Sequence, residues 1–244
     1  MNALYDRIGV DYANLRRPDP RIAAQIVAAL GSANAILNVG AGTGSYEPAG
    51  RSVTAIEPSA EMIAQRPAGV GPAVQGTAEA LPYPDDSFDA VMGVLTIHHW
   101  TDQARGLAEM RRVARDRIVL LTFDPAKRDL WQMQYWPQLV TLDDGQMPPL
   151  DFYAEHLGAV AIETVPVPHD CTDGFLYAYW RRPAAYLDPR IRAGSSSFWA
   201  LDDLEEGLAR LKRDLSDGTW ARENAALMQA QDWDCGYRLV VATL

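Results

Sequence analysis

Cysteine is almost absent from this chain, and so is any pattern of metal-binding residues. The 244 residues include only Cys171 and Cys235, which lack C-x-x-C spacing. Two thiols cannot form a metal site by themselves. We therefore predict no bound metal and two free thiols in a reducing cytosol.

Basic residues are outnumbered, and long hydrophobic runs are missing. Lys and Arg total 22 against 32 Asp and Glu, which gives a formal net charge of -10. Affinity for a phosphate backbone depends on Lys and Arg, so the charge excludes a nucleic-acid partner. No apolar run reaches membrane-spanning length, and the segment MNALYDRIGVDY has no apolar signal-peptide core. We expect a cytoplasmic protein without a membrane partner, either a monomer or a homodimer.

Apolar β-branched runs alternate with helical patterns along the chain. Strands are predicted at 35–39, 52–56, 72–75, 88–94, 117–123, 159–165 and 237–243. Helices are predicted at 19–30, 59–66, 102–114, 149–157 and 200–215. The alternation is typical of an α/β fold, in which helices cover both faces of a mostly parallel sheet. The length suits one such domain with an insertion.

A glycine-rich turn follows the first predicted strand. Gly40, Gly42 and Gly44 occupy every second position, and the next strand ends in Glu57. Glycines allow the backbone to approach a ligand closely, and an acid at the next strand end can bind ribose hydroxyls. The dinucleotide fingerprint G-x-G-x-x-G has its third glycine one residue later. The shorter spacing favours S-adenosyl-L-methionine over NAD, because no pyrophosphate has to be seated.

Five blocks, in order, resemble the class I S-adenosylmethionine-dependent methyltransferases. The similarity is strongest to the type 11, ubiquinone/menaquinone-biosynthesis-like group, which acts on small molecules. The blocks are the glycine turn, AIEPS at 55–59, AEALPYPDDSFDAV at 78–91, HHW at 98–100 and the strand at 118–123. The resemblance covers roughly residues 1–165. It implies a Rossmann-like, doubly wound sheet of seven strands whose last strand, at 237–243, is antiparallel.

The resemblance also implies which residues contact the cofactor. Gly40, Gly42 and Gly44 would border its methionine part, Glu57 would hold the ribose, and Pro58 and Ser59 would flank the adenine. Thr77, Ala78 and Glu79 would close on the adenine edge. Asn38 stands where the family usually has an acid, and Thr77 where it often has Asp. The N-terminal segment, with Tyr5, Tyr12 and Arg17, would fold over the methionine end, or would only pack on the sheet.

Two histidines follow the fourth predicted strand. His98 and His99 lie at the carboxyl edge of the sheet, where ligands of such folds bind. One of them could act as a general base, and we favour His98 as the catalytic residue. Because neighbours on a strand face opposite sides, the other would point away. The alternative is that both are structural.

About 70 residues separate the last two predicted strands, where the simplest members of the fold have a short turn. We predict a core of residues 1–165 and 235–244, with a helical cap or substrate insertion at 166–234. Thirteen of the 22 aromatic residues lie between Phe123 and Trp199. Most are expected in the cap's own core, with Trp131, Tyr135 and Trp180 facing an acceptor pocket. Arg181 and Arg182 form either a carboxylate clamp or a solvated turn.

The leading interpretation is a methyltransferase that acts on a small molecule, at oxygen first, with nitrogen or carbon open. No D-P-P-Y or N-P-P-F motif follows Val94, which argues against methylation of DNA bases. Three alternatives remain at this stage. They are a non-methyl reaction in a protein that binds the same cofactor, an NAD-dependent dehydrogenase, and a non-catalytic binding module.

Overall fold

A computed structural model of the protein describes residues 15–244, and a seven-stranded mixed sheet lies at its centre. The strands are β1 (Ala35–Val39), β2 (Ser52–Glu57), β3 (Ala73–Gln75), β4 (Phe88–Val94), β5 (Ala114–Phe123), β6 (Val160–Thr164), β7 (Val167–Pro168), β8 (Asp232–Trp233) and β9 (Tyr237–Thr243). Their order in the sheet is β3-β2-β1-β4-β5-β9-β6, while β7 and β8 pair separately. In the seven-stranded sheet, β9 is antiparallel to both neighbours and the other pairs are parallel, whereas β7 and β8 are antiparallel to each other. The predicted doubly wound sheet with an antiparallel last strand is confirmed.

Both faces of the sheet are covered, as continuous apolar runs in parallel strands indicate. Successive residues of a strand point to opposite faces. Accordingly, Ile36 belongs to one hydrophobic cluster and Leu37 to the other. Ala90 and Val91 of β4 divide in the same way. The central strands therefore hold the two halves of the core together.

Helices surround the sheet. They are α1 (Pro20–Ala29), α2 (Ala60–Ala64), α3 (Gln103–Val113), α4 (Trp131–Tyr135), α5 (Gln138–Gln146), α6 (Leu150–Leu157), α7 (Pro189–Ala193), α8 (Ser196–Trp199), α9 (Glu205–Ser216) and α10 (Thr219–Glu223). Short 3-10 helices span Ile97–His99, Pro183–Leu187 and Leu227–Gln229. None of the helices within residues 15–244 combines the length and apolar composition needed to cross a bilayer.

Capping side chains set the helix starts. Asp19, Ser59 and Asp102 each accept a hydrogen bond from a backbone N–H in the first turn of α1, α2 and α3. These residue types satisfy otherwise unpaired donors at a helix N-terminus, so the sequence predicted these starts within one residue. The short helices α4 and α5 escaped prediction, because Pro137 interrupts the pattern between them.

The inserted segment packs into the main core. Trp180 and Tyr186 share one hydrophobic cluster with Phe123 of β5 and Tyr237 of β9. Residues from α4 and α5, which precede β6 in the chain, belong to the same cluster. The layer above the carboxyl edge of the sheet is therefore built from two stretches of chain, and only one of them is the segment 166–234.

Candidate functional site

The turn after β1 is built on glycine because other residues do not fit its backbone. Gly40, Gly42 and Gly44 have φ of 66°, 53° and 91°, in the left-handed region. A Cβ on Gly40 would lie 1.8 Å from Thr96 Oγ1. A Cβ on Gly42 would meet only the end of the Met62 side chain, at 3.2 Å. Gly40 is thus required by packing, whereas Gly42 leaves space beside the turn.

Glu57, at the end of β2, is bound to two backbone amides. It is 4% exposed, and its Oε2 atom accepts from the Gly42 N–H at 2.8 Å. Its Oε1 atom accepts from the Ser59 N–H at 2.9 Å. The carboxylate therefore joins the glycine turn to the turn before α2. It also lies on the wall of the cleft described below, where an acid at a strand end can bind ribose hydroxyls.

A cleft of about 870 Å³ opens at the carboxyl ends of β1, β2 and β4. This is the edge where ligands of open α/β sheets bind. The predicted cofactor residues on its wall are Asn38, Gly40, Gly42, Glu57, Pro58, Thr77, Ala78 and Glu79. Gly44 and Ser59 do not line this wall; a Cβ on Gly44 would lie 3.2 Å from Arg66 Nη1, and Ser59 caps α2. Segments far apart in sequence thus form one concave surface.

Asn38 brings a polar group to the floor of the cleft. Its Nδ2 donates to Glu47 Oε1 at 3.0 Å, and Glu47 forms a buried ion pair with Arg66 at 2.9 Å. The Oδ1 atom of Asn38 is buried and has no hydrogen-bond partner within residues 15–244. A buried acceptor left unpaired is costly, so it marks a place where a ligand donor would be favourable.

Glu79 secures the far wall of the cleft. Its Oε1 atom accepts from the Thr101 N–H at 2.8 Å and from the Thr101 hydroxyl at 2.9 Å. Burial acts to raise the pKa of Glu79, but these hydrogen bonds and others outweigh it and lower that pKa. Glu79 is therefore an ionised residue that fixes the Thr77–Glu79 segment against the start of α3.

Of the three N-terminal residues predicted to lie near the cofactor, only Arg17 is among the residues that the structure describes. Tyr5 and Tyr12 lie outside the described residues. Arg17 is exposed and does not line the cleft, whereas its neighbour Arg16 does. The Arg16 Nε donates to Asp173 Oδ1 at 2.6 Å, and the Asp173 side chain is fully buried. The sequence analysis named Arg17 and missed Arg16, because the partner of Arg16 comes from the distant insertion.

His98 and His99 lie together instead of facing apart. They belong to the 3-10 helix that follows β4, and their ring centroids are 3.9 Å apart. Both line the cleft, and the Nδ1 atom of His98 is buried without a hydrogen-bond partner in the described chain. The expected opposite orientation fails because the strand ends at Val94.

Both imidazoles are neutral at neutral pH. Enclosure by protein atoms, with smaller effects from His99 and Arg16, holds the pKa of His98 well below its ordinary value. His99 is reached by solvent through the cleft. Even so, the surrounding protein and the Arg16 charge lower its pKa to about 4. A neutral imidazole can accept a proton or a hydrogen bond, but a depressed pKa makes it a weaker base.

A second, smaller chamber adjoins the cleft. It has a volume of about 50 Å³, and Arg16, Leu95 and His98 line both spaces. Its remaining wall comes from β5, β9, α5, α8 and the inserted segment. These residues are Phe123, Asp143, Met147, Phe175, Leu176, Tyr177, Ser195, Ser196, Ser197 and Tyr237. The part of the chamber wall formed by residues 15–244 is thus mainly aromatic and apolar, with one carboxyl group.

The three aromatic residues predicted to face the acceptor are placed elsewhere. Trp131, Tyr135 and Trp180 are 3%, 6% and 1% exposed, within the hydrophobic core. The Trp131 Nε1 donates to the Trp180 carbonyl at 2.8 Å, and the Tyr135 hydroxyl donates to Asp214 at 2.9 Å. None of the three lines the chamber. Sequence alone cannot separate them from Phe123, Phe175, Tyr177 and Tyr237, since all are aromatic residues in apolar surroundings.

Arg181 and Arg182 are turned toward backbone carbonyls. Arg181 Nη1 donates to the Ala230 carbonyl at 2.8 Å, and Arg182 Nη2 donates to the Cys171 carbonyl at 2.7 Å. Neither residue lines the cleft or the chamber. Their observed hydrogen bonds are those of structural residues. Within residues 15–244, no group of three or more His, Cys, Asp or Glu side chains is arranged to hold a metal ion.

Comparison with known proteins places the same segments in a known family. Residues 37–121 match the sequence profile of the family described as "Methyltransferase domain". The crystal structure of a putative methyltransferase from an antibiotic biosynthesis pathway of Anabaena variabilis is 37% identical, with a TM-score of 0.88. That alignment covers 95% of this chain and all of the other.

Two curated relatives match over shorter stretches. An uncharacterized methyltransferase of Mycobacterium tuberculosis is 40% identical over 92 residues, which are 34% of this chain and 37% of that protein. A demethylmenaquinone methyltransferase of Deinococcus radiodurans is 46% identical over 59 residues, 23% of this chain and 24% of that protein. The chain thus aligns with only about a third or less of the length of these curated relatives.

Proposed function

Since the chain belongs to the S-adenosylmethionine-dependent methyltransferase family, we propose that it transfers a methyl group to a hydroxyl oxygen of a small molecule. One observation carries the proposal. The large cleft beside the glycine turn and Glu57 adjoins a small aromatic chamber, with His98 in the shared wall. One space suits a cofactor, and the other suits the reacting end of an acceptor.

The residues of the cleft fit S-adenosylmethionine. Space beside Gly42 admits a ligand close to the backbone, and Glu57 places a carboxylate on the cleft wall, at a strand end where ribose hydroxyls are bound in such folds. The unpaired Oδ1 atom of Asn38 suits a charged amino group. When bound, the cofactor supplies an activated methyl group and its leaving group. The protein's part is to position the acceptor, to exclude water and to receive a proton.

The inserted segment supplies much of the acceptor side in this proposal. Phe175, Leu176, Tyr177 and the serines at 195–197 all belong to residues 166–234 and line the chamber. The segment would therefore act as a substrate cap on the core of residues 1–165 and 235–244. The two free cysteines are consistent with a cytosolic location.

A small-molecule acceptor also agrees with the named relatives. One belongs to an antibiotic biosynthesis pathway, and another is named for demethylmenaquinone. The net charge of -10 fits a partner other than nucleic acid.

Calorimetric titration with S-adenosylhomocysteine and, separately, with NADH tests the cofactor assignment. We expect binding of the first and none of the second. Incubation with S-adenosylmethionine and a small-molecule extract should then release S-adenosylhomocysteine and methylate an extract component. Cofactor binding without any S-adenosylhomocysteine, but with conversion of an extract component, would instead establish a non-methyl reaction. NADH binding alone would establish the dehydrogenase alternative.

A further inference from the structure

Among the described residues that line the acceptor chamber, only Asp143 carries a carboxyl group. It lies on α5, is 4% exposed, and lines the chamber together with Phe123 and Tyr237. The Tyr177 hydroxyl donates to its Oδ2 atom at 3.3 Å. No ion pair joins Asp143 to a basic side chain in the described chain, whereas its neighbour Asp144 is paired with Arg128. A buried carboxyl without a cation is unusual, because burial of an unpaired charge is costly.

The position of Asp143 links it to the cofactor cleft. Its chamber shares Arg16, Leu95 and His98 with that cleft. The charge of Arg16 is already compensated by Asp173, through an Nε–Oδ1 contact of 2.6 Å. Asp143 and His98 are therefore the two groups on the chamber wall that can receive a proton from an acceptor.

The surroundings tune Asp143 for that task. Burial raises its pKa from 3.8 to about 7, and the Tyr177 hydrogen bond and the charge of Arg128 only partly oppose that rise. Asp144 adds a small increase. The other titratable groups on the chamber wall are His98, Arg16 and Tyr237. A base is most effective when its pKa lies near the working pH, and the depressed pKa of His98 makes that residue less suitable.

We propose that Asp143 is the proton acceptor of the reaction and that the methyl acceptor is a neutral phenol; the assignment rests on the proposed methyl transfer. The phenolic O–H bond breaks, and its proton moves to the Asp143 carboxylate. The oxygen electron pair forms the bond to the methyl carbon while the carbon–sulfur bond breaks. The electrons of that bond remain on sulfur as S-adenosylhomocysteine is formed, and the proton later passes to solvent.

The chamber discriminates between classes of acceptor. The rings of Phe123, Phe175 and Tyr237 line the chamber and favour edge contacts with the reacting end of an aromatic acceptor. A carboxylate acceptor would be repelled by ionised Asp143, and it would need no base. A volume of about 50 Å³ admits only the reacting end of a small ring compound in this conformation. These features favour a phenol over an aromatic acid.

The test compares wild type with Asp143→Asn, Asp143→Glu and Asp144→Asn. Each protein is assayed for S-adenosylhomocysteine formation with catechol, p-cresol and 4-ethylphenol, and with the matching benzoic acids and anilines. We expect wild type to use phenols, with kcat/KM rising as pH increases through about 7. For Asp143→Asn, kcat/KM should fall by about 100-fold or more, and the rise of kcat/KM with pH should disappear. Asp143→Glu should recover part of both, and Asp144→Asn should behave as wild type.

Tyr177→Phe provides a readout that a purely structural role would not produce. Because the Tyr177 hydrogen bond lowers the pKa of Asp143, its removal should move the rising limb to higher pH. An unchanged pH profile in both Asp143→Asn and Tyr177→Phe would overturn the proton-acceptor role. Preference for the benzoic acids or the anilines would overturn the phenol class.

Failure of this inference is distinguishable from failure of the proposed function. Binding of S-adenosylhomocysteine is measured for every variant, and it should stay within about threefold of wild type. No turnover of any phenol, with cofactor binding intact and methylation of an extract component observed, would overturn the assignment of Asp143 and the phenol class alone. If wild type does not bind S-adenosylhomocysteine, the proposed function itself is overturned.

Discussion

The Tyr46 hydroxyl donates to Asp173 Oδ2 at 2.9 Å, although 127 positions separate the two residues. Tyr46 lies in the glycine-rich turn, with φ of 65°, and Asp173 lies in the inserted segment. The same Asp173 carboxylate holds Arg16 at the wall of the cleft. The insertion is therefore bound to the glycine turn and to the wall of the cleft by buried, charge-assisted hydrogen bonds.

Replacement of Asp173 by Ala should destabilise the protein and weaken cofactor binding. The change leaves Arg16 buried without its partner, at a cost of about 3–5 kcal/mol. Tyr46→Phe removes only one neutral hydroxyl and should cost about 1–2 kcal/mol. Urea unfolding gives the stabilities, and calorimetry gives the affinity for S-adenosylhomocysteine. Equal effects of the two variants would show that the Arg16 contact contributes little.

Alanine should have different effects at Gly40, Gly42 and Gly50. At Gly40 the new Cβ would clash with Thr96, so we expect a loss of about 3 kcal/mol or more in the free energy of unfolding. Gly50 has φ of 77° and nothing within 4 Å of a Cβ, so it reports backbone strain alone, about 1–2 kcal/mol. Gly42→Ala should resemble Gly50→Ala in stability but weaken cofactor binding. Normal binding by folded Gly42→Ala would place the cofactor elsewhere.

Glu57→Gln should reduce both stability and affinity. The amide nitrogen cannot accept a hydrogen bond, so the N–H of Gly42 or of Ser59 loses its partner. We expect a loss of about 1–3 kcal/mol in stability and of about 1.5–3 kcal/mol in binding of S-adenosylhomocysteine. Glu61→Gln, on the adjoining helix and outside the cleft, is the control. Calorimetry showing unchanged affinity would remove Glu57 from the cofactor site.

The stability of wild type should fall as pH rises through the range set by Asp143. The pKa of this carboxyl is about 7 in the folded protein and 3.8 in the unfolded chain. Between these values the folded state binds more protons, so the free energy of unfolding decreases with increasing pH. Asp143→Asn should remove this decrease, which amounts to about 2–4 kcal/mol. Urea unfolding at about pH 5 and about pH 8 measures this decrease, with Asp144→Asn as the control. An equal change in the free energy of unfolding for wild type and Asp143→Asn would contradict the pKa shift.

Trp180→Ala should lower the free energy of unfolding and leave the affinity for the cofactor unchanged. The ring is 1% exposed, and its Nε1 donates to the Val167 carbonyl at 2.9 Å. Removal of such a side chain costs about 3–5 kcal/mol. Trp180→Phe keeps most of the volume and should cost less. A folded Trp180→Ala protein of normal stability that fails to use acceptor would place this residue at the acceptor after all.

The sequence was sufficient for the sheet because local patterns encode it. The apolar runs at β1, β4 and β9 form largely buried strands. Their first and last residues were predicted within one residue. The glycine turn and Glu57 were also readable, because a left-handed backbone and an acid at a strand end leave a pattern in adjacent residues. The tight 3-10 turn at His98 and His99 was missed, because three residues carry too little pattern to separate it from a strand end.

The acceptor side was decided by tertiary structure alone. Asp143 on α5 and Tyr177 in the insertion are 34 positions apart and meet only when both pack over the carboxyl edge of β5. Arg16, not Arg17, reaches the cleft because Asp173 lies on its side of the chain. The sequence by itself determined the sheet, the glycine turn and the protein family, since each depends on neighbours along the chain. The choice of aromatic residues in the chamber and the raised pKa of Asp143 depend on burial by distant segments, which no local pattern records.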